Sequence, residues 1–316
     1  MNVFIRGIDI HLPGRVVTNT ELETVVDTSD DWIRARTGIE RRYIDRDPCQ
    51  TTSRIGSLAA GKLLERLGLP PSKIDGIIAG SMFPDKSFPS NACLIQRELG
   101  CKNAFAYDLT AACGFIPFAY NAAALHIQAG QASNMLVVGA ELCHRIVNWK
   151  DRKTCILFGD AAAATLLSAT KESGRGMLGS ALKSDGSCAS LLDLPRPGSA
   201  NAFIAMDGQG VFKLAVKELA AITLRVLDQV GYTVHDLDLF VPHQANMRLI
   251  EAVGKRLGLS DDKVMVNIQN YGNTSSASIP LALYEAEQAG RLKRGDLVAL
   301  AGIGGGMTWG CNLLRW

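Results

Sequence analysis

Two stretches of this 316-residue chain, 163 positions apart, follow the same pattern. Residues 68–78 and 231–241 each come after an amphipathic helical stretch, open with a glycine and run into an apolar strand. Chance is the alternative explanation, because short strand–loop patterns recur widely in proteins. An internal duplication is the simpler one, and it restricts the fold to two similar α/β units joined in one chain.

A second pair of segments supports the duplication. One helical pattern closes at Gly130 before an apolar strand at 135–138, and another closes at Gly290 before a strand at 297–300. Glycine is the usual residue where a helix ends in a left-handed cap. Short continuous apolar runs are typical of strands buried on both faces of a sheet.

The boundary between the two units is predicted in the polar, glycine-containing segment 171–176. The sequence therefore predicts an N-terminal half, residues 1–170, and a C-terminal half, residues 171–316. Both halves are expected to belong to the α/β class.

Cys113 lies in the segment 110–118 (TAACGFIPF), where an apolar strand at 104–109 gives way to a helical pattern at 115–127. A thiol at the start of a helix faces the positive end of the helix dipole, which favours the thiolate. The thiolate is the form that attacks thioesters and other acyl groups. A buried structural cysteine is the commoner fate of a cysteine taken alone, so the nucleophile hypothesis needs further support.

Two polar segments in the second half supply that support. His243 follows an apolar strand at 237–241, at the carboxyl end where open α/β sheets bind their ligands. Asn273 lies in a polar turn at 270–278 (NYGNTSSAS) ahead of another helical pattern. Each residue alone would more often be an ordinary surface, core or turn residue. Together with the cysteine they form a candidate catalytic group at the seam between the halves.

With these segments the chain resembles the β-ketoacyl-[acyl-carrier-protein] synthase III family, which are condensing enzymes of the thiolase superfamily. The matching segments, which follow the family's order over essentially the whole chain, are 31–39 (DWIRARTGI), 110–118, 158–163 (FGDAAA), 241–246 (VPHQAN), 270–275 (NYGNTS) and 304–310 (GGGMTWG). The resemblance implies a thiolase-like, five-layered α-β-α-β-α fold built from the two duplicated halves.

The resemblance also implies a reaction in two half-reactions. Cys113 would take an acyl group from acyl-CoA, and this group would then condense with malonyl-acyl carrier protein, which loses carbon dioxide. The backbone N–H groups of Cys113 and Gly305 would form the oxyanion hole for acyl transfer. His243 and Asn273 would donate hydrogen bonds to the malonyl thioester carbonyl, since an asparagine can donate but cannot exchange a proton. A further role of His243, the activation of Cys113, stays open.

Substrate-binding residues are implied in the same way. The coenzyme A residues would be Trp32, Arg36, Arg152, Gly208 and Asn246, and the residues of the primer pocket would be Phe88, Leu142 and Cys143. The residues that meet the acidic carrier protein would be Lys213, Arg248, Lys255 and Arg256. Phe88 would reach across from the partner subunit, which implies a homodimer. Trp149 and Lys153 are larger than the residues often found at those positions, which leaves the primer's chain length open.

The composition limits which cellular compartment and which further binding partners are expected. The net charge of +2 gives no sign of nucleic-acid or membrane binding, and no apolar run approaches the roughly 20 residues of a membrane helix. The eight cysteines contain no Cys-x-x-Cys pair, so no zinc or redox motif is indicated. We expect free thiols, a cytoplasmic location without an export signal, no metal and no cofactor beyond acyl-CoA as a substrate.

Several other functions use part of the same set of residues. A thiolase would need a second cysteine in the loop 302–306, and an elongating ketoacyl synthase would carry a histidine in place of Asn273. A cysteine protease also uses cysteine, histidine and asparagine, but no local protease signature surrounds Cys113. A non-catalytic scaffold would not need the three polar residues. A specialised relative that handles an unusual acyl group would keep all three, and it stays open.

Overall fold

The structure is a computed structural model that describes residues 2–195 and 202–316. The strands of the first half are β1 (Asn2–His11), β2 (Arg15–Thr18), β3 (Arg41–Ile44), β4 (Gly76–Gly80), β5 (Phe105–Asp108), β6 (Asn134–Glu141) and β7 (Ala161–Thr170). Its helices are α1 (Asn19–Leu22), α2 (Asp30–Thr37), α3 (Thr52–Arg66), α4 (Asn91–Leu99) and α5 (Phe115–Gln128).

The elements of the second half follow the same alternation. Its strands are β8 (Gly176–Ser184), β9 (Leu192–Asp193), β10 (Ala205–Met206), β11 (Leu239–Pro242), β12 (Leu297–Gly304) and β13 (Thr308–Arg315). Its helices are α6 (Gly208–Val230), α7 (Met247–Leu257), α8 (Ile268–Tyr271) and α9 (Ser278–Gln288).

Two mixed sheets form the framework, and they share one topology. The first sheet has the order β1-β7-β6-β4-β5 and the second has the order β8-β13-β12-β11. In each sheet, each of the first three strands pairs antiparallel with its neighbour in that group. Every later strand pairs parallel with the strand before it in the order. An isolated parallel bridge joins Phe240 of β11 to Val264. It lies at the position in the second sheet that corresponds to β5 in the first.

The repeated sequence segments supply equivalent strands in the two sheets. One pair of segments forms β4 and β11, and the other pair forms β6 and β12. The proposed boundary near residue 171 falls between β7 and β8. The division into halves stays a prediction, and the shared topology is the observation that supports it.

Helices α5 and α9 lie between the two sheets, and further helices cover the outer faces. Helix α5 contacts strands of both sheets, as does α9. Helices α3 and α4 pack on the first sheet, whereas α6 packs on the second and α7 packs on α6. The α-β-α-β-α arrangement expected from the sequence is therefore confirmed.

The sequence of α5 fits its central position. Its buried side chains include bulky Phe115 and Tyr120 and small Ala119 and Ala123, and they join one apolar core with residues of both sheets. A helix that is apolar on most of its surface is expected where it is enclosed on both sides. The parallel strands of both sheets end on the side where the candidate catalytic residues follow them.

Candidate active site

Cys113 lies in a tight 3-10 turn, Ala112–Gly114, immediately before α5 begins. The preceding residue, Ala112, has a left-handed backbone with φ of 45°, which costs energy in a residue with a side chain. The thiol is only 5% exposed, and its Sγ donates to the Oγ of Ser275 at 3.3 Å. The turn thus brings a buried thiol against a residue of the second half.

The protonation of this thiol differs from the expectation based on the helix dipole. Burial raises the pKa of Cys113 to about 12, and the charge of Glu141 acts in the same direction. The hydrogen bond to Ser275 lowers the pKa only in part. The expectation that the helix start favours a thiolate is therefore wrong for the free protein, because desolvation outweighs the dipole.

The glycine run at the end of β12 packs directly on the cysteine turn. A Cβ at Gly304 would lie 2.6 Å from the backbone nitrogens of Cys113 and Gly114, so only glycine fits there. A Cβ at Gly305 would lie 2.9 Å from the backbone oxygen of Leu192. The oxyanion donors implied by the resemblance, the backbone N–H groups of Cys113 and Gly305, therefore belong to segments that are in close contact.

His243 follows the carboxyl end of β11, as its sequence position predicts. Its backbone N–H donates to the oxygen of Ala301 at 2.8 Å, and its Nδ1 is hydrogen-bonded to the Oγ of Ser278 at 2.6 Å. The side chain is buried, and burial lowers the pKa of His243 to about 3. The imidazole is therefore neutral at physiological pH.

Asn273 is held by its backbone and by its side-chain oxygen. Its N–H donates to the oxygen of Leu157 at 2.8 Å, and its oxygen accepts from the N–H of Gly159 at 3.0 Å. Its Oδ1 accepts from the N–H of Ser275 at 2.8 Å. Because the oxygen is occupied by a backbone donor, the amide nitrogen is the edge of Asn273 that can donate to a ligand.

Cys113, His243 and Asn273 line one small cavity of about 90 Å³. Its other walls are mostly apolar and include Leu192, Ile204, Val211, Phe212, Ile303 and Met307. A wider cleft of about 890 Å³ lies next to it. The cavity and the cleft share the lining residues Leu157, Met206, Gly208, Phe212 and Asn246, so the cavity opens into the cleft.

The outer cleft is lined by cations around a tryptophan. The guanidinium carbons of Arg36 and Arg152 lie 5.5 Å and 4.9 Å from the centroid of the half-buried Trp32 ring, within cation–π range. Arg152 also donates to the backbone oxygen of Asp27 at 3.1 Å. The cations that line the cleft are Arg36, Arg152, Lys153, Lys213 and Arg248, and the lining carboxylate is Asp207. This surface suits an anionic ligand with a flat ring.

Gly208 and Asn246 stand at the junction between the cleft and the cavity. Gly208 begins α6, and a Cβ placed there would meet only the end of the Met206 side chain, at 3.8 Å. Asn246 caps α7, and its Oδ1 accepts from the N–H of Leu249 at 2.9 Å. Its amide nitrogen is thus the edge that can face a ligand.

Some predicted residues lie outside this cavity. Phe88 is 85% exposed, and Leu142 and Cys143 are buried in the core and do not line the cavity within one chain. Lys255 and Arg256 are exposed in the last turn of α7, outside the cleft that Lys213 and Arg248 line.

Three residues of the site were not singled out from the sequence: Ser275, Ser278 and Glu141. The serines belong to the serine-rich turn after Asn273, whose composition was the available signal. Glu141 is fully buried at the end of β6, a single acidic residue closing an apolar run. Its Oε2 accepts from the N–H of Met82 at 3.0 Å and from Ser81 Oγ at 3.2 Å.

Two features are absent from the residues that the structure describes. No helix within residues 2–195 and 202–316 combines the length and the apolar composition that crossing a membrane requires. The same residues contain no group of three histidine, cysteine, aspartate or glutamate side chains placed to hold a metal ion.

Comparisons with known proteins show the family of this chain. The family model described as 3-oxoacyl-[acyl-carrier-protein (ACP)] synthase III matches residues 107–186, and the model of its C-terminal part matches residues 227–316. The β-ketoacyl-[acyl-carrier-protein] synthase III of Agrobacterium fabrum is 45% identical over 99% of this chain and 98% of that protein. The enzyme of the same name from Caldanaerobacter subterraneus subsp. tengcongensis is 43% identical over 99% and 97%. The crystal structure of 3-oxoacyl-[acyl-carrier-protein] synthase III from Aquifex aeolicus is similar with a TM-score of 0.95 and 41% identity, covering 99% of this chain and 100% of that one.

Proposed function

This chain belongs to the β-ketoacyl-[acyl-carrier-protein] synthase III family and is an acyltransferase, the initiating condensing enzyme of fatty-acid synthesis, and we propose that Cys113, His243 and Asn273 carry out its two half-reactions. The observation that carries the proposal is that these three residues line one cavity, which opens into a cationic cleft.

In the first half-reaction, Cys113 Sγ attacks the thioester carbonyl of an acyl-CoA. The S–H bond breaks, a new S–C bond forms, and coenzyme A leaves as a thiol once it has regained a proton. The backbone N–H groups of Cys113 and Gly305 hold the oxyanion of the tetrahedral intermediate. One such donor typically stabilises a transition state by about 3 kcal/mol, and the contact between the glycine run and the cysteine turn supports this pairing.

In the second half-reaction, malonyl-acyl carrier protein loses carbon dioxide, and the electron pair of the broken bond forms an enolate. His243 and Asn273 both donate hydrogen bonds to the enolate oxygen, and the enolate carbon then attacks the carbonyl of the acyl-cysteine. The new C–C bond forms, the C–S bond breaks, and the released Cys113 thiolate takes up a proton from the medium. The neutral imidazole can donate from Nε2 only if Nδ1 accepts, so the Ser278 hydroxyl is the donor in their 2.6 Å hydrogen bond. Ser278 thereby fixes the tautomer that the reaction requires.

The outer cleft binds the coenzyme A portion of the first substrate. The ring of Trp32 stacks on the adenine, while Arg36 and Arg152 flank that ring and attract the phosphates. Gly208 and Asn246 border the narrow passage through which the pantetheine arm reaches Cys113. The two cation–π contacts and the shared lining residues support this arrangement.

The acidic carrier protein docks on the cations around the same entrance. Lys213 and Arg248 line the cleft, and Lys255 and Arg256 lie on the exposed end of α7. Such charges chiefly raise the association rate and make it sensitive to salt. Because Lys213 and Arg248 line the cleft that binds coenzyme A, both substrates can contact them. Lys255 and Arg256 lie outside that cleft, so they are the more selective contacts for the carrier protein.

The chain functions as a homodimer in which Phe88 of each subunit closes the primer pocket of the other. In the described residues, β5 pairs only with β4 and is the edge of the first sheet, where Phe105 is partly exposed. Phe88 is 85% exposed. An exposed edge strand with exposed aromatic side chains is suited to pairing with a second copy. Leu142 and Cys143 would complete the pocket wall in that assembly.

The reaction takes place in the cytoplasm with acyl-CoA as a substrate and with no further cofactor. Thioester exchange and decarboxylation change no oxidation state on the protein, so the chemistry needs no redox group. All eight cysteines are free thiols, as a reducing compartment would keep them.

The test is intact-protein mass spectrometry with a panel of acyl-CoA thioesters, followed by malonyl-acyl carrier protein. The wild type should gain the mass of one acyl group and then release carbon dioxide. The Cys113→Ala variant should gain no acyl group, whereas the matched control Cys311→Ala, which removes another buried thiol, should behave as the wild type. Acylation that persists in Cys113→Ala would reject the nucleophile. The panel also identifies the primer: a gain only with an unusual acyl group would favour a specialised side pathway.

A further inference from the structure

The proton of the Cys113 thiol must leave during acyl transfer, and the hydrogen bonds of the site indicate where it goes. The thiol donates to Ser275 Oγ at 3.3 Å, which is a contact between two buried side chains. The imidazole of His243 is engaged at Nδ1 by Ser278, and no hydrogen bond joins it to Cys113 in the described part of the chain. The first acceptor in line is therefore a serine hydroxyl.

A buried carboxyl group lies beyond that hydroxyl. Glu141 Oε1 accepts from the N–H of Ser276 at 3.3 Å, and the side chains of Ser276 and Ser275 both act to lower the pKa of this carboxyl. Glu141 is completely buried, and its other contacts are Ser81 and Met82. Ser275 thus lies between the thiol of Cys113 and the carboxyl of Glu141.

The backbone holds this arrangement in place. Ser275 has φ of 46°, a left-handed conformation that persists only where the surroundings enforce it. The neighbouring turn is pressed against β6, because a Cβ at Gly139 would lie 2.4 Å from the oxygen of Ser276. Ser276 Oγ also donates to the oxygen of Gly80 at 3.2 Å. The hydroxyl of Ser275 is therefore aimed by fixed elements of both halves.

We propose that Ser275 and Glu141 form a proton relay that carries the thiol proton of Cys113 away during acyl transfer and returns it to the departing coenzyme A. The proposal rests on the proposed function, since it requires that Cys113 is the acylated residue. Ser275 would be a catalytic residue, because it touches the reacting sulfur, and Glu141 would act through it.

The relay is balanced within one half-reaction. As Cys113 Sγ forms its bond to the thioester carbon, its proton passes to Ser275 Oγ, and the hydroxyl proton of Ser275 passes to Glu141. When the tetrahedral intermediate collapses, the C–S bond to coenzyme A breaks. The two protons then move back by one position each, and the coenzyme A sulfur takes up the thiol proton. No oxidant, metal or further reactant is consumed.

The acidities of the groups are consistent with this direction of transfer. Burial raises the pKa of Glu141 to about 7, whereas burial lowers the pKa of His243 to about 3. The carboxylate is thus the stronger of the two bases near the thiol. The titratable groups whose pKa responds to Glu141 are the thiols of Cys113 and Cys143, and burial raises the pKa of both. The charge of Asp160 also raises the pKa of Cys143. The thiols of Cys113 and Cys143 therefore both stay protonated at neutral pH.

The experiment separates acyl transfer from condensation in single turnovers. Acetyl-CoA is the first probe, and isobutyryl-CoA replaces it if acetyl-CoA does not acylate the wild type. Rapid quenching and intact-mass measurement give the acylation rate constant for the wild type, Ser275→Ala and Glu141→Gln. Each variant is then acylated to completion by longer incubation, and malonyl-acyl carrier protein is added to measure the condensation rate constant.

We expect both substitutions to slow acylation by at least about 100-fold, the lower end of typical acid–base contributions. Condensation from the completed acyl-enzyme should stay within about threefold, because the carbon–carbon bond forms before the released Cys113 thiolate takes up a proton. Ser57→Ala and Glu218→Gln, which alter buried groups elsewhere, should leave both rate constants unchanged. The wild-type acylation rate constant should rise with pH through about 7 as Glu141 ionises, and Glu141→Gln should lose that rise.

Three results would overturn the relay. Acylation at the wild-type rate in both variants would show that the proton takes another path. An equal loss of acylation and condensation would show that the two residues only position the turn that carries Asn273. A loss in Glu141→Gln without one in Ser275→Ala would remove Ser275 from the route.

If Glu141→Gln does not fold, Glu141→Asp, whose carboxyl is withdrawn by one methylene, takes its place. A wild type that is not acylated at Cys113 would instead reject the proposed function.

Discussion

Replacing Glu141 by glutamine should change how the stability of the protein depends on pH. Burial raises the pKa of this carboxyl from its ordinary value of 4.5 to about 7 in the folded chain. Between these values the folded protein holds a proton that the unfolded chain releases. The stabilisation linked to this proton is therefore complete below about pH 4.5 and is lost as the pH rises through 7. Glutamine has no such proton.

The magnitude follows from the two pKa values. At 1.36 kcal/mol per pKa unit, the whole loss amounts to about 3 kcal/mol, of which about 2 kcal/mol falls between pH 5.5 and pH 8.5. The substitution also places an amide group opposite the N–H of Ser276, which costs about 1–3 kcal/mol at every pH because a buried donor loses its acceptor. At low pH the variant is thus the less stable protein, and the deficit should shrink by about 2 kcal/mol at pH 8.5.

Urea unfolding of the wild type and the variant at pH 5.5 and pH 8.5 measures this difference. Both proteins must be compared at one concentration, since association of subunits contributes to apparent stability. The wild-type-minus-variant difference cancels the titration of all other groups, and Glu218→Gln is the control for removing a buried carboxyl elsewhere. A difference that is the same at both pH values would show that Glu141 does not titrate between them, and the magnitude argued from its burial would fail.

Four further predictions follow from the site. Asn273→Ala should slow condensation by about 10²–10³-fold with acylation nearly unchanged in single turnovers; equal losses would argue against an enolate donor. His243, whose pKa burial lowers to about 3 from 6.5, should stay neutral between pH 5 and 8. The condensation rate should therefore lack an acid limb with a midpoint near 6.5, and such a limb would contradict the burial argument. Trp32→Ala should raise the KM for acyl-CoA about tenfold at constant kcat, as loss of one stacked base predicts; an unchanged KM would place the adenine elsewhere. Lys255→Glu combined with Arg256→Glu should raise the KM for malonyl-acyl carrier protein and leave that for acyl-CoA; equal effects on both would reject selective docking.

The sequence predicted the framework well because its signals are local. Apolar runs closed by glycine mark the buried strands, and these strands form β4, β6, β11 and β12. His243 follows β11 and Cys113 follows β5, so both lie where strands end, and they meet Asn273, which follows the short helix α8, in one cavity. Residues that bind at the end of a strand can therefore be found without a structure.

The acid–base properties of the site could not be predicted in this way. The position of Cys113 before a helix suggested a thiolate, but burial on all sides raises the pKa of the thiol to about 12. Glu141 carries no sequence signal beyond a lone charge after an apolar run, since its partners come from two segments that are distant in the sequence, 81–82 and 276. Phe88, Leu142 and Cys143 lie outside the cavity of a single chain, so their roles stay predictions that depend on the dimer.

The narrow junction between the cleft and the cavity has a consequence for the order of events. Gly208, Asn246 and their neighbours border this junction, and in the proposed function both substrates extend a pantetheine arm through it to reach Cys113. We expect the junction to hold one arm at a time, so that coenzyme A leaves before the malonyl group enters. We therefore expect steady-state kinetics of the ping-pong type. Free coenzyme A should then compete with malonyl-acyl carrier protein for this junction.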